Sequence, residues 1–588
     1  MNTKRLFAAT LKNNPMKLLM STQTEFVEAL SDKKLQHYRN LNALENNDTK
    51  PFDWEQAKAF EEIPGPKPLP LVGNTWRFLL PKVGNFYGMD ILQIHKQMRQ
   101  QYGDITIMKG LVGLQPIVVL FNPSDIEKLH RNEGVWPTRH GLPSFAHYRK
   151  LRKNILSSGG LICLQGEEWF KFRTVVNPIL MQPKNVIHYA DKMNFVADEL
   201  VDNIKYLSEE NEQGQMPDDF HNELYKWSLE SIGVVTMDTH LGCLKRGSVN
   251  EEAQKLIYSV LRMFQLMYKL DVMPSVWKYI STPSWKEYVQ VLDFMLKTNL
   301  KHINRYIEKI EKGEIDNNQI TSALHQMIQI DRNTATAMSV DMMIAGVDTT
   351  GRVLAAALYY LAKNPDKQEL LRSEANNLLK VKDAPVTKET LSKNVYTKAV
   401  VKETTRLSPI AIGNLRTTKK DLVLGGYQVP SGTDVLTSTL MLSQQEEHFP
   451  KAKEFLPERW LKTTTGEFSH KNTNPFVFAP FGFGARSCIG KRFANLELET
   501  ALLKIIRNFE LQWPHEDMVF YTTTLHGMAK PLKIHLGRGE LGAREEENQV
   551  RGLLKEDFRE EKGPENRRKS QEPPPPTLGR EEVPFRIF

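Results

Sequence analysis

The chain has 588 residues, of which 40% are hydrophobic and 25% charged, so it can build a core and has the charge content of an ordinary soluble globular protein. Its formal net charge of +8 favours acidic membranes or acidic protein partners. Nucleic acid is the weakest candidate, because there is no basic stripe with interleaved aromatic residues and no zinc-finger spacing. Three cysteines, Cys163, Cys243 and Cys488, are too few for a disulfide framework and indicate a reducing compartment. We expect Cys163 and Cys243 to be small buried hydrophobes.

The first 30 residues carry the charge pattern of a mitochondrial address. Four basic residues between positions 4 and 17 alternate with apolar residues, and the first acid is Glu25. No run approaches the roughly 20 apolar residues needed to span a bilayer. This pattern predicts a mitochondrial transit peptide over about residues 1–30, with a frayed basic tail as the alternative.

The proline pattern and the composition divide the remaining chain. Prolines at alternate positions in 63–70 exclude a helix and favour an extended segment. We interpret 31–62 as a linker and 63–538 as one large domain. Residues 539–588 are rich in Glu, Arg, Lys and Pro and have too little apolar area to offset ordering entropy, so we predict a disordered charged tail.

Long amphipathic patterns dominate the domain. They predict helices, in chain order, over about 188–206, 218–237, 251–269, 333–363, 366–380 and 489–508. Strand patterns are short and cover 116–121, 422–429 and 434–438, with a hairpin turn at Gly425 and Gly426. The fold class is therefore mainly α with small β-sheets.

The most specific motif is the segment 481–490, which reads FGFGARSCIG. Its glycines allow the backbone to approach a flat cofactor closely. A thiolate at the start of the following helix is favoured by free N–H groups, which lower its pKa. Arg486 can pair with an acidic edge of a cofactor. The alternative is a buried structural cysteine in a glycine-rich turn.

This segment resembles the haem-binding signature Phe-x-x-Gly-x-Arg-x-Cys-x-Gly of the cytochrome P450 superfamily, matched at Phe481, Gly484, Arg486, Cys488 and Gly490. The resemblance implies the cytochrome P450 fold, haem b (iron protoporphyrin IX) as cofactor and Cys488 as the iron ligand. It extends over about 64–536. Segments 175–184 and 474–480 are similar to insect mitochondrial members of cytochrome P450 family twelve, a group associated with xenobiotic oxidation.

A second motif, AGVDTTG at 345–351, lies inside the predicted 333–363 helix. Two glycines and two adjacent threonines are poor helix formers, which favours a functional site. A threonine hydroxyl that donates to a carbonyl one turn back would open a groove. The motif resembles the family's oxygen-activating segment, which implies that Asp348 and Thr349 relay protons and that Ala345 borders the distal pocket. A threonine-containing buried helix is the alternative.

Haem propionates require cationic or N–H donors, and the resemblance implies four. Trp169 and Arg173 form the family's Trp-x-x-x-Arg pair and project together at i, i+4. Arg416 and Arg486 occupy the other two positions. For Arg416 a solvated surface charge is the alternative.

The resemblance also implies a buried ion triad behind the haem. Glu403 and Arg406 share a helix face at i, i+3, and Arg459 follows in the segment FLPERW at 455–460. Trp460 replaces the family's usual Phe. We expect a structural role for the triad, since loss of one partner would strand a buried charge at about 3–5 kcal/mol.

Basic residues near the cysteine predict the electron donor. Lys398 and Lys402 lie four apart on one helix, and Lys491 and Arg492 follow the cysteine loop. The first pair is similar to the lysines that dock an adrenodoxin-like ferredoxin in mitochondrial members, where an NADPH-dependent reductase reduces the ferredoxin. Ordinary solvated helix charges are the alternative. We expect a monomer at the matrix face of the mitochondrial inner membrane, with peripheral membrane contact.

The activity implied is insertion of one oxygen atom from O2 into a lipophilic small molecule. The resemblance favours a xenobiotic. The alternatives are hydroxylation of an endogenous steroid such as an ecdysteroid, or a haem protein that senses or carries ligands without turnover.

Overall fold

The computed structural model describes residues 36–41, 50–156, 159–211, 214–245, 250–315 and 322–538. Helices make up most of this part of the chain, and a few short strands flank them. The helices are α1 (Trp76–Leu79), α2 (Ile91–Tyr102), α3 (Pro123–Arg131), α4 (Pro143–Leu151), α5 (Gly160–Cys163), α6 (Gly166–Leu180), α7 (Pro183–Ile187), α8 (Ala190–Glu210), α9 (Phe220–Thr236), α10 (Glu251–Met267), α11 (Pro283–Glu311), α12 (Ala323–Ile330), α13 (Arg332–Lys363), α14 (Pro365–Leu378), α15 (Lys388–Lys393), α16 (Val395–Leu407), α17 (Thr439–Ser443) and α18 (Lys491–Asn508).

The strands form one four-stranded sheet and three two-stranded ladders. They are β1 (Ile105–Met108), β2 (Ile117–Leu120), β3 (Asn414–Thr417), β4 (Leu422–Leu424), β5 (Tyr427–Val429), β6 (Asp434–Thr437), β7 (Phe509–Gln512), β8 (Phe520–Thr522), β9 (His526–Met528) and β10 (His535–Arg538). The larger sheet has the order β1-β2-β6-β3, in which only β2 and β6 run parallel. The ladders are β4–β5, β8–β9 and β7–β10.

Local sequence signals explain where the long central helix begins and ends. The carboxylate of Asp331 caps α13 by accepting from Thr334 N. The helix ends at Lys363, and after Asn364 the next helix starts with Pro365 at its first position. These are the residues at which the sequence pattern predicted the break.

The hydrophobic core surrounds α13, which packs against α9, α16 and α18. Val347, Leu354 and Leu358 of α13 are essentially inaccessible, as is Trp227 of α9. Because both helix faces are covered, α13 is held rigidly through the middle of the domain. This helix and the loop before α18 are the two elements that position the candidate site.

The predicted fold class is confirmed, since each predicted helix and strand overlaps an observed one. The predicted hairpin also forms, with Gly425 and Gly426 between β4 and β5. Within the described residues, no helix is both long enough and apolar enough to cross a bilayer. The predicted transit peptide and the predicted 539–588 tail lie outside the described residues.

Candidate active site

A cavity of about 1690 Å³ lies between α13 and the loop that precedes α18. Helices α4 and α6 contribute to its walls. It receives Cys488 from the loop and Thr349 from α13, two residues that are far apart in sequence. The other sequence-predicted residues on its wall are Ala345, Trp169, Arg173, Arg416, Phe481, Arg486 and Gly490.

The cysteine loop is folded tightly around Cys488. Its backbone N–H donates to Phe481 O at 2.8 Å, which closes the loop. Gly482 and Gly484 both have positive φ, and a Cβ on Gly484 would lie 2.2 Å from Glu133 Oε1. Only glycine fits that position, because the left-handed backbone and the close carboxylate both exclude a side chain.

The sulfur of Cys488 opens onto the cavity rather than onto bulk solvent. Burial raises the pKa of its thiol, and the backbone N–H groups of Gly490 and Lys491 together with Arg173 only partly oppose this. The prediction of a lowered pKa is therefore wrong for the free thiol, because desolvation of the anion outweighs the helix start. The same N–H groups can donate hydrogen bonds to the sulfur and stabilise its negative charge when it binds a metal.

Within α13, side chains replace part of the regular hydrogen bonding. Thr349 Oγ1 donates to Ala345 O at 2.6 Å, one turn back, and Ser228 Oγ of α9 donates to Gly346 O at 2.9 Å. A Cβ on Gly346 would lie 2.7 Å from Ile232 Cγ1, so the glycine lets the two helices meet. The result is a polar notch in the helix beside the cavity.

Asp348 is fully buried and, among the described residues, is not part of the cavity wall. Its Oδ1 accepts from Arg352 Nε at 2.6 Å, and its Oδ2 has no hydrogen-bond partner in the described part of the chain. Burial acts to lower the pKa of Arg352, but the Asp348 carboxylate outweighs it and the pKa is raised. Asp348 is thus a buried carboxylate with one oxygen to spare, directly beside Thr349.

Four arginines converge on one end of the cavity: Arg139, Arg173, Arg416 and Arg486. Burial, together with the neighbouring arginines, lowers the pKa of Arg486 to about 8. Burial likewise lowers the pKa of Arg173 to about 10. This concentration of positive charge is costly without anions nearby.

The existing partners of this cluster are mostly backbone carbonyls. Arg486 donates to Pro137 O at 2.9 Å and stacks on Trp169, with its Cζ 4.1 Å from the ring centroid. Arg173 donates to Ser487 O at 3.0 Å, beside the cysteine. Arg173 Nε and Arg486 Nη1 are buried and have no hydrogen-bond partner in the described part of the chain.

Among the described members of this cluster, Arg416 pairs directly with a carboxylate. It is 2% exposed, its Nε donates to Glu133 Oε2 at 2.5 Å, and its Nη2 donates to Phe483 O at 2.9 Å. The alternative of a solvated surface charge is therefore wrong. One carboxylate leaves the cluster of four guanidinium groups strongly cationic.

These observations fit a flat dianionic cofactor whose metal accepts sulfur. The cavity offers the Cys488 sulfur on one side, glycine backbone around it, and the buried guanidinium donors of Arg173 and Arg486 at one end. Haem b carries two carboxylates at one edge and an iron that binds thiolate, so the donor set matches it. Among the described residues, no cluster of His, Cys, Asp and Glu could hold a different metal.

Glu403, Arg406 and Arg459 lie together outside the cavity. Both Glu403 oxygens accept from Arg406, at 2.7 and 2.9 Å, and Arg459 Nε lies 3.3 Å from Oε1. Trp460 adds a bond that a phenylalanine could not make, because its indole N–H donates to Glu403 Oε2 at 2.9 Å. Arg406 also donates to the carbonyls of Ser443, Ala452 and Glu454.

The four predicted docking residues lie on two packed helices, α16 and α18. Lys402 and Arg492 are exposed, and Lys491 begins α18. Lys398 is only half exposed and donates to Leu391 O. Lys402 and Arg492 therefore present the more accessible charges of the set.

Sequence reasoning missed Arg139 and Glu133. Neither lies in a motif, and both come from the segment between α3 and α4. The signal was weak: single charged residues in a loop rich in Gly and Pro. Cys163, expected to be buried, is half-buried and lines the cavity, whereas Cys243 is buried as expected.

Comparison with known proteins places this geometry in a family. The cytochrome P450 family model matches residues 63–536. The chain is 38% identical over 494 residues to probable mitochondrial cytochrome P450 12a5 of Drosophila melanogaster, covering 82% of this chain and 91% of the relative. It is 36% identical to cytochrome P450 CYP12A2 of Musca domestica, with the same coverage. It is also 36% identical to mitochondrial cytochrome P450 12b1 of Drosophila acanthoptera, covering 84% and 92%. The chain therefore belongs to the cytochrome P450 family and is a haem b monooxygenase.

Proposed function

We propose that this enzyme oxidises lipophilic xenobiotics in the mitochondrion with electrons from an adrenodoxin-like ferredoxin. The observation that carries the proposal is that Cys488 and Thr349 line one cavity whose remaining walls are largely apolar. Phe264, Met267, Trp277, Met338 and Met342 are among those apolar walls. Apolar walls favour a lipophilic substrate, because moving apolar surface out of water is favourable. The resemblance of segments 175–184 and 474–480 to cytochrome P450 family twelve, a group associated with xenobiotic oxidation, supports a xenobiotic over a single hormone.

Each predicted residue then has a distinct task. Cys488 ligates the iron, and the bound haem supplies oxygen activation, which thiolate donation favours. Arg173, Arg486 and Arg416 hold the propionates, with Trp169 stacked beneath Arg486. These residues orient the cofactor and exclude water from it.

Thr349 and Asp348 manage protons beside the cavity. The Thr349 hydroxyl faces the cavity and can change its acceptor from Ala345 O to a ligand oxygen. The spare Oδ2 of the adjacent Asp348 offers a buried site for a proton in transit. Arg352 holds the other oxygen and fixes the carboxylate in place.

A substitution of the sulfur tests the ligand assignment. We expect Cys488→Ser to abolish the red-shifted band of the carbon monoxide complex, because that band is specific to a haem that a thiolate would hold. Cys163→Ser is the matched control, since this cysteine also lines the cavity but lies outside the loop. An unchanged band in Cys488→Ser would contradict the assignment.

Turnover of a substrate panel tests the reaction. The purified holoenzyme, a mitochondrial ferredoxin and its NADPH-dependent reductase would be incubated with lipophilic xenobiotics and with an ecdysteroid. We expect oxygenated products from several xenobiotics. Selective turnover of the steroid would contradict the xenobiotic assignment, and absence of all products would favour a ligand sensor or carrier.

The exposed charges on α16 and α18 support the electron donor. Lys402 and Arg492 can steer an acidic ferredoxin by long-range attraction, which salt weakens. We expect Lys402→Glu to raise the KM for ferredoxin about 3- to 10-fold at low salt, with little change in substrate binding. Lys286→Glu, an equal charge reversal on α11, is the control. Equal KM values for both variants would refute this docking surface.

An exposed apolar surface supports contact with the inner membrane from the matrix side. Leu71, Val83, Tyr279 and Ile280 are largely exposed, and Ser275 N donates to Val112 O at 3.1 Å, which joins the segment before Tyr279 to the N-terminal region. Large exposed apolar side chains of this kind are suited to membrane contact. Sedimentation with vesicles should fall for Ile280→Asp.

Import and trimming by isolated mitochondria tests the transit peptide, and retention of residues 1–24 would contradict it.

A further inference from the structure

Helix α4 carries another buried arginine on the cavity wall, Arg149. Arg149 is 3% exposed and lines the cavity. Its Nη2 donates to Asp341 Oδ1 of α13. Its Nε and Nη1 are buried and have no hydrogen-bond partner among the described residues. A guanidinium with two idle nitrogens inside a protein is uncommon, because unmade hydrogen bonds of charged groups are expensive.

The carboxylate partner is locked in place from a third element. Asp341 is 2% exposed and also accepts from Ile162 N of α5 at 3.2 Å. Gly160 at the start of α5 has positive φ, and a Cβ there would lie 2.5 Å from Asp341 Oδ2. The ion pair is therefore a constructed feature of the wall, in which Asp341 fixes one side of Arg149.

Charge and geometry define what could satisfy the idle donors. The Asp341 carboxylate pairs directly with Arg149 and acts on Arg139 only at longer range, so the Arg149 pair does not require a second full negative charge. The ring of Phe145 stacks on the guanidinium, with Arg149 Cζ 5.0 Å from the ring centroid. Stacking covers a face of the group, whereas its N–H bonds point outward in the plane. A neutral oxygen acceptor that approaches the edge of the guanidinium group would therefore satisfy the unpaired N–H donors of Arg149.

The position of the pair relates this acceptor to the site of oxidation. Asp341, Ala345 and Thr349 follow one another at intervals of four along the cavity side of α13. At the rise of an α-helix, Asp341 and Thr349 are separated by about 12 Å along the axis. A molecule bound at Arg149 would therefore reach the notch at Thr349 with its opposite end.

We propose that Arg149 is a substrate-binding residue that receives a carbonyl or hydroxyl oxygen, so that the enzyme prefers rigid lipophilic molecules with a neutral acceptor remote from the oxidised carbon. This inference rests on the proposed function in one respect, namely that a lipophilic substrate occupies this cavity. It narrows the substrate class from lipophilic compounds in general to acceptor-bearing ones.

Binding spectra of the ferric holoenzyme test the proposal without turnover. The probes are androstan-3-one and androstane, which differ by one ketone, and the readout is the ratio of their dissociation constants. We expect the wild-type enzyme to bind the ketone about 10-fold more tightly, as for a hydrogen bond to a charged donor. We expect Arg149→Met to bring the ratio close to one. A wild-type ratio of one, or an unchanged ratio in the variant, would overturn the proposal.

Two further variants separate recognition from structural damage. Arg152→Met is the matched control, because Arg152 also forms an ion pair from the end of α4, with Asp293, yet is not among the described residues that line the cavity. It should retain the wild-type ratio. If Arg149→Met fails to fold, the double variant with Asp341→Asn removes both buried charges together and should show the same ratio of about one.

An anionic probe tests the neutrality of the acceptor. Androstane-3-carboxylate should bind the wild-type enzyme more weakly than the ketone, and Asp341→Asn should improve its affinity relative to the ketone about 10-fold, because Arg149 is then unpaired. Preference of the wild-type enzyme for the carboxylate would refute a neutral acceptor. A correct binding ratio without oxidation by the ferredoxin system would support the Arg149 site and contradict the proposed turnover.

Discussion

Two regions of this molecule bury arginines in opposite ways. At the ion triad, Glu403 and Arg406 have no accessible surface, and Glu403 and three carbonyls engage every terminal nitrogen of Arg406. At the propionate end of the cavity, Arg173 and Arg486 rely mainly on carbonyls, and among the described residues each retains a buried nitrogen without a partner. Arg459 of the triad also keeps a buried Nη1 without a partner there, but it shares the Glu403 carboxylate, whereas neither Arg173 nor Arg486 forms an ion pair with a carboxylate of the described residues. The triad therefore contains its own counter-charge, and the second set lacks one.

The difference shows which buried charges serve the fold and which await a ligand. A balanced network can be read as structural, because adding an anion there would disturb it. An unbalanced one is stable only if an external group completes it. The lowered pKa of Arg486, which burial and the neighbouring arginines produce, is the electrostatic expression of that imbalance.

The largest effect on stability should come from a substitution in the ion triad of Glu403, Arg406 and Arg459. Glu403→Gln keeps the shape of the side chain but leaves Arg406 and Arg459 as buried cations, so the free energy of unfolding should fall by about 3–5 kcal/mol. Denaturant unfolding of the holoenzyme measures it. Glu389→Gln is the control, since Glu389 pairs with Lys393 at the surface. Similar stability for the two variants would mean that the triad is not structural.

A substitution among the arginines at the propionate end of the cavity should instead lower the affinity for haem. Arg486→Met removes a donor that the protein leaves partly unused, so haem should transfer to apomyoglobin about 10-fold faster. The free energy of unfolding should change less than in Glu403→Gln. Arg372→Met is the control, because Arg372 binds carbonyls of Ile506 and Phe509 away from this cluster. Unchanged haem transfer would contradict a propionate role for Arg486.

The buried acid Glu497 allows a third prediction, which concerns the pH dependence of stability. Glu497 is 3% exposed on the cavity wall, and burial raises its pKa to about 8. Between the pKa of Glu497 in the unfolded state and pH 8, the folded state holds a proton that the unfolded state has lost. The contribution of Glu497 to the free energy of unfolding therefore falls as pH rises through that window, and it is constant above pH 8. Relative to wild type, Glu497→Gln should therefore gain stability from pH 5 to pH 8, by up to about 2–4 kcal/mol. Thermal midpoints at each pH measure the gain, and a difference independent of pH would exclude titration of Glu497.

Local signals accounted for most of the architecture. Asp331, Asn364 and Pro365 mark helix ends through capping and the missing proline N–H, which depend only on nearby residues. The helix α11 was missed, although Thr282 and Pro283 supply a start signal and its buried residues recur at helical spacing.

Long-range pairings could not be obtained in this way. The motif positions of Cys488 and Thr349 were recognisable, but their meeting in one cavity depends on packing of α13 against α18. Two ion pairs join residues from separate segments of the chain, Glu133 with Arg416 and Asp341 with Arg149. No short-range pattern predicts such contacts. For the same reason the sequence left every substrate-facing residue unassigned.

The parallel pairing of β2 with β6 has a consequence for biogenesis. Ile117 of β2 lies opposite Asp434 of β6, so the central sheet joins an early part of the chain to a late one. A chain still emerging from a ribosome or a translocase, or cut before β6, would expose the edge of β2, and open edges template aggregation. Chaperone dependence should therefore persist until the last third of the polypeptide has been delivered.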